Sequence, residues 1–117
     1  MTGNAKARTL IRDLVDRIVR EYRPMKVILF GSYANGTPDE DSDIDLFIIK
    51  ETTDRPIDRR VEVATIVADP RRRTPVEPLV MTRSEVEERL RIGDQFVQQI
   101  LDEGEILYEA SGCSACR

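Results

Sequence analysis

Apolar residues recur every third or fourth position near the start of the chain, at Ala7, Leu10, Ile11, Leu14, Val15, Ile18, Val19 and Tyr22. Arg8, Arg12, Arg17 and Arg20 fall mostly off that stripe. The spacing predicts an amphipathic helix that ends before Pro24. The pattern then changes. Residues 25–30 (MKVILF) form a short unbroken apolar run stopped by Gly31, which reads as a buried strand, and Ile44–Ile49 within DIDLFIIK reads as a second. Asp54 offers an N-cap with Pro56 near the first turn. Ile57, Val61, Ala64, Thr65 and Ala68 continue at helical spacing. VEVATIV alone also fits a strand, and the helix is preferred. Residues 75–81 (PVEPLVM) are a third strand, which Pro78 confines to a sheet edge or a bulge. Ser84-x-x-Glu87 fits a capping box opening another helix, with Val86, Leu90, Val97, Ile100 and Leu101 on one face. Gly93 sits inside that helix and Gly104 stops it. EILYE at 105–109 is a last short strand.

The order is therefore α-β-β-α-β-α-(β), an α/β fold with a small mixed β-sheet packed with helices. Its topology follows from one assumption, that Gly31 and Asp43 serve a single site. The end of the first strand then neighbours the start of the second, so these two run antiparallel. A helical crossover precedes the third strand and favours a parallel partner. Glu77 would then begin its strand beside Asp43 and Asp45.

Length and composition narrow the class. A chain of 117 residues fits one domain, expected over residues 1–110 with 111–117 as a flexible tail. At 40% apolar and 34% charged residues the composition is globular. The net charge of -4 argues against a non-specific nucleic-acid binder, which needs a basic footprint. No apolar run reaches the ~20 residues of a membrane span, and the charged N-terminus lacks a signal peptide's apolar core. A cytoplasmic protein is the expectation. Cys113 and Cys116 are too few for a disulfide framework, and their C-x-x-C spacing falls short of the about four ligands of a structural zinc site. The chain has no histidine.

Residues 31–46 read GSYANGTPDEDSDIDL. On a strand, Asp43 and Asp45 point to the same face. Paired carboxylates repel, and a bound divalent cation reverses that sign. Oxygen ligands of this kind suit magnesium, which typically combines few protein carboxylates with substrate phosphates. Gly31 lets the backbone approach a phosphate, Ser32 adds a hydroxyl and an amide, and residues 32–35 can start a short helix. Asp39, Glu40 and Asp41 read as a solvated spacer. Arg71, Arg72 and Arg73 read as a solvated loop or as a contact for a triphosphate, an acidic protein face or RNA. Tyr33 either packs under the loop or touches a base.

Gly31-Ser32, residues 33–42, then Asp43-Ile44-Asp45 resembles the fingerprint of the polymerase-beta-like nucleotidyltransferase superfamily. The likeness runs from the first helix to the LYE near residue 108 and is closest to the minimal nucleotidyltransferases. Many of these are antitoxins paired with a helical HEPN-domain toxin, and some transfer AMP from ATP to a tyrosine of that toxin. The resemblance implies triphosphate binding by Gly31 and Ser32, and magnesium ligation by Asp43 and Asp45. The family's third carboxylate falls on Glu77, where aspartate is more usual; Glu62 is a second candidate, on a helix face turned from the sheet. Asp43, Asp45 and Glu77 are thus the implied catalytic and metal-binding set, with ATP as donor and a HEPN toxin as partner. Two alternatives stay open: a non-enzymatic antitoxin that acts by binding, and nucleotidyl transfer to a small molecule. A homo-oligomer is compatible with a long first helix and open sheet edges.

Overall fold

A computed structural model describes residues 2–36, 38 and 42–110. The acidic spacer at Asp39, Glu40 and Asp41, and the tail with Cys113 and Cys116, lie outside the described residues. The chain runs α1 (Thr2–Tyr22), β1 (Lys26–Phe30), α2 (Ser32–Asn35), β2 (Ile44–Ile49), α3 (Pro56–Ile66), β3 (Val76–Met81), α4 (Arg83–Arg91), α5 (Gln95–Glu103) and β4 (Glu105–Glu109). The strands form one mixed sheet in the order β3-β2-β1-β4. As the topology argument required, β1 and β2 are antiparallel and β2 and β3 are parallel. Pro78 lies on β3, an edge strand, where one side needs no amide donor. Among the described residues, no helix is long and apolar enough to cross a membrane.

Both faces of the sheet are covered, which explains why β1 and β2 read as continuous apolar runs. On one face Val27, Leu29, Ile44, Leu46 and Ile48 pack against Ile11, Leu14, Val15 and Ile18 of α1 and Val63 of α3. On the other, Ile28, Phe47 and Ile49 pack against Val86 of α4 and Val97 and Ile100 of α5. Each of these side chains contributes about 1.5–3 kcal/mol by burial. Beyond Tyr22, Arg23 takes a left-handed backbone (φ 55°) and Pro24 cannot extend the helix. Arg8 ties α1 to β4 with two 2.8 Å hydrogen bonds to Glu105.

Four local expectations change. First, α3 turns a different face inward. Ile57 and Val61 are exposed at 57% and 56%, while Val63 and Arg59 are buried. Two stripes share this helix, and Arg59 hides the one that packs, because an arginine does not read as core. Its charge is fully engaged there. Nη1 and Nη2 donate to the Glu85 carboxylate at 2.7 and 3.1 Å, and Nε donates to the Asp54 carbonyl at 2.8 Å. Second, Arg55 rather than Asp54 precedes the first helical turn, with Pro56 at the first helical position.

Third, the capping box of α4 is Thr82 with Glu85, two residues before the expected Ser84 and Glu87. The Thr82 hydroxyl accepts the Glu85 amide at 3.2 Å, and Glu85 accepts the Thr82 amide at 2.9 Å. Glu85 therefore serves the cap and Arg59 together, a pairing across distant segments that no local pattern announces. Fourth, the last helix is two. Gly93 adopts φ 80°, and Asp94 restarts the chain by accepting the amides of Phe96 (2.9 Å) and Val97 (3.2 Å). Of the three arginines at 71–73, Arg72 braces its own loop by donating to the carbonyls of Val67 and Thr74, and Arg71 and Arg73 are exposed.

Candidate active site

The site forms where β1 ends and β2 begins. Antiparallel pairing sets Phe30 opposite Asp45, and parallel pairing sets Glu77 on the other side of Asp45. Directly opposed residues share a face. Phe30, Asp45 and Glu77 thus lie together on the face that packs against α4 and α5.

Gly31 turns the chain out of β1 with φ 79° and ψ -156°, a region essentially closed to residues with a side chain. A second constraint acts at the same position. A Cβ there would overlap Oδ2 of Asp45 and lie 3.2 Å from its Cγ. The glycine lets the main chain pass directly against the carboxylate. Its carbonyl then accepts the amides of Ala34 and Asn35, both at 3.1 Å, which winds the single turn of α2. The first amides of a helix point outward without partners in the helix. Tyr33 packs against the core cluster beneath α1.

Two carboxylates bear on a third here. Asp45 is half-buried, and its pKa is pushed above the ordinary aspartate range, first by burial, then by the charges of Asp43 and Glu77. Glu77 itself is held by Arg60, whose Nη2 donates to Oε1 at 2.8 Å. Among the described residues, no group of three or more potential ligands converges on one point. The donor chemistry of Asp43 and Asp45 still fits a hard divalent cation: acceptor-only oxygens, mutually repelling, at a strand end. Glu62 is exposed on α3 and acts electrostatically on Tyr22 rather than on Asp45.

Beside this cluster opens a cleft of about 610 Å³ between the sheet and α5. Gly31, Asp45 and Glu77 line it; Ser32 and Asp43 adjoin it in sequence without lining it. Arg60 is the one cation along its wall among the described residues, and Asn35, Gln99 and Glu103 add polar groups. Phe30, Leu79, Phe96 and Ile100 supply the apolar part. The rings of Phe30 and Phe96 meet edge-on, with centroids 5.8 Å apart and planes at 81°.

Sequence reasoning had no signal for Arg60, which a surface salt bridge explains equally well. Phe96, Gln99 and Glu103 recur at helical spacing beside the recognised apolar stripe. A common face was therefore legible, but what that face looks onto was not.

The family model for polymerase beta nucleotidyltransferases matches residues 13–112 of this chain. No curated protein matches it significantly. Solved structures share the fold. A Sulfolobus solfataricus protein assigned as a nucleotidyltransferase superposes with a TM-score of 0.62 at 17% identity, over 93% of this chain and 86% of its own. A toxin–antitoxin complex solved with AMP-PNP gives 0.58 at 24% identity, over 86% of this chain and 74% of that one. A mutant of the toxin–antitoxin pair MntA–HpeT gives 0.51 at 23% identity, over 92% and 74%.

Proposed function

Because the chain belongs to the polymerase beta nucleotidyltransferase family, we propose that it transfers AMP from ATP to a hydroxyl of a partner toxin and so acts as an antitoxin. The acceptor is most simply a tyrosine of a helical HEPN-type toxin. The observation that carries the reading is the packing of Gly31 against Asp45 at the mouth of a cleft, with Glu77 in register on the next strand. The fold shared with a toxin–antitoxin complex containing AMP-PNP supports both the nucleotide and the partner.

In this reading, the open backbone of Gly31 and the first turn of α2 receive the triphosphate. Asp43 and Asp45 would hold magnesium, with Glu77 as third carboxylate; when bound, such an ion neutralises phosphate charge and polarises the reacting oxygens. The acceptor oxygen forms a bond to the α-phosphorus. The bond from that phosphorus to the bridging oxygen breaks, and pyrophosphate leaves. With no histidine in the chain, the acceptor's proton passes to one of the site carboxylates. On this reading the protein acts in the cytoplasm, where ATP is abundant.

The test combines the protein, its genomic neighbour, magnesium and ATP, and weighs the neighbour by mass spectrometry. A gain of one AMP, lost in Asp43→Asn and Asp45→Asn variants, is expected. An unshifted neighbour, with nucleotide bound normally, sinks the transfer.

One observation favours a second reading, a toxin neutralised by binding alone. Glu77 is turned to Arg60, and the three carboxylates do not converge on one point. Under that reading, the two asparagine variants still neutralise a co-expressed toxin.

A further inference from the structure

The cleft is lined by two chemically different sets of residues, and the transfer reading uses only one. Gly31, Asp45, Glu77 and Arg60 suit a triphosphate with its cation. The other set is aromatic. Phe96 is 55% exposed, whereas its neighbours on α5, Val97 and Ile100, are 1% and 3% exposed. A single exposed phenylalanine is ordinary on a protein surface. This one lines a concave wall. The ring of Phe30 packs against it with the two planes at 81°, and Phe96 still keeps 55% of its surface open. Its backbone is pinned as well, since its amide donates to the Asp94 carboxylate at 2.9 Å. Gln99 follows one turn later on the same side of α5 and also lines the cleft.

We propose that Phe96 is the platform on which the nucleobase of the bound nucleotide stacks, with Gln99 reading the edge of that base. The inference rests on the nucleotidyl-transfer reading of the same cleft. A nucleotide combines the two chemistries that the cleft displays, a charged phosphate chain and a flat, weakly polar ring. Phe30 joins the two sets of residues: it precedes Gly31 in the chain, sits opposite Asp45 in the sheet, and packs against the Phe96 ring. A base stacked on Phe96 is met on its edge by the Gln99 amide, whose Nε2 donates to Glu103 at 3.4 Å and keeps a second hydrogen and the carbonyl oxygen for the base. The platform gives affinity to any base, because every base has a π-face, and Gln99 supplies preference among them.

The experiment measures binding to the full chain by calorimetry, with magnesium, for ATP, GTP, CTP, UTP and base-free inorganic tripolyphosphate. Phe96→Ala and Phe96→Leu should weaken all four nucleotides by roughly 5- to 150-fold, the range that loss of an aromatic–base stack produces. Tripolyphosphate should bind within about twofold of wild type, and Phe96→Tyr should keep nucleotide affinity. Gln99→Ala should change the ranking of the four nucleotides while leaving tripolyphosphate alone. Losing the Phe30 ring contact should cost Phe96→Ala only a small part of the chain's stability, so the variants stay folded at the temperature of the binding measurement, which their melting curves check, and lost binding is then not lost folding. Unchanged nucleotide affinity in Phe96→Ala overturns the proposal. An equal loss of tripolyphosphate, or a wild type that binds tripolyphosphate but no nucleotide, does so too. A wild type that binds neither overturns the transfer reading along with it.

Discussion

Replacing Gly31 with alanine puts a methyl group where the structure already holds the Asp45 carboxylate. Two penalties add. A non-glycine residue at φ 79°, ψ -156° is strained by about 1–3 kcal/mol. Asp45 must also swing off its preferred rotamer to clear the methyl, at about 0.5–1.5 kcal/mol. The sum is about 1.5–4.5 kcal/mol, a large part of the ~5–15 kcal/mol that holds a typical domain together. At ~4 °C per kcal/mol for a domain of this size, the melting temperature should fall by roughly 6–18 °C.

Gly36 is the internal control. It also has a positive φ, 77°, but among the described residues nothing lies within 4 Å of its missing Cβ. Gly36→Ala should lose only about 1–2 kcal/mol, the left-handed backbone term alone. Thermal unfolding followed by circular dichroism separates the two sites. A double-mutant cycle then isolates the contact. In an Asp45→Ala background the overlap is gone, so Gly31→Ala should recover about 0.5–1.5 kcal/mol. If Gly31→Ala melts no lower than Gly36→Ala, and its effect is the same with and without Asp45, the close approach of glycine to carboxylate is wrong. The account of the site's geometry then falls with it.

Three further outcomes follow from the same structure. Hydrogen bonding to Arg59 holds the Glu85 carboxyl below the ordinary glutamate range, so its contribution is complete above the unfolded value of ~4.3 and is lost as pH falls through the lower folded value. Glu85→Gln should therefore lower stability by about 1–2 kcal/mol at neutral pH, discounted because Glu85 is partly open to solvent, and converge on wild type in acid; urea titrations at pH 7 and pH 3 check both, and an equal gap at the two pH values refutes the pairing. Asp45→Asn removes a half-buried charge flanked by two like charges, so without magnesium it should melt at or above wild type. Added magnesium should raise the wild-type melting temperature and leave the variant's unmoved; equal shifts would count against Asp45 as a ligand. On α3, Val63→Ala should cost about 1–2 kcal/mol and Val61→Ala less than ~0.5, measured by chemical denaturation; the reverse order would restore the stripe expected from sequence.

Much of the fold was legible because its signals are local. The 3.6-residue stripe of α1, the unbroken runs of β1 and β2, and the proline of β3 each report on their own segment. Even the neighbourhood of Asp45 and Glu77 followed, since a crossover helix leaves few ways to bring strand starts together. The failures have separate causes. The inward face of α3 depends on Arg59 meeting Glu85, residues in different elements, and either reads as surface by itself. At α4 two overlapping patterns, Thr82-x-x-Glu85 and Ser84-x-x-Glu87, both fit a capping box, and the fold uses the first. The split at Gly93 was marked by the glycine, but a helical pattern continuing on both sides concealed it.

For the candidate site the division is similar. The spacing from Gly31-Ser32 to Asp43-Ile44-Asp45 pointed to the family that the chain belongs to, because residue type and register suffice to bring an open glycine backbone and paired carboxylates together where β1 ends and β2 begins. Only the tertiary structure decided that Gly31 touches the Asp45 carboxylate, that Arg60 holds Glu77, and that Phe96 faces the same cleft. Those relations join residues from β1, β2, α3, β3 and α5. Packing across the sheet sets the distances between such elements, and no pattern within one segment encodes them.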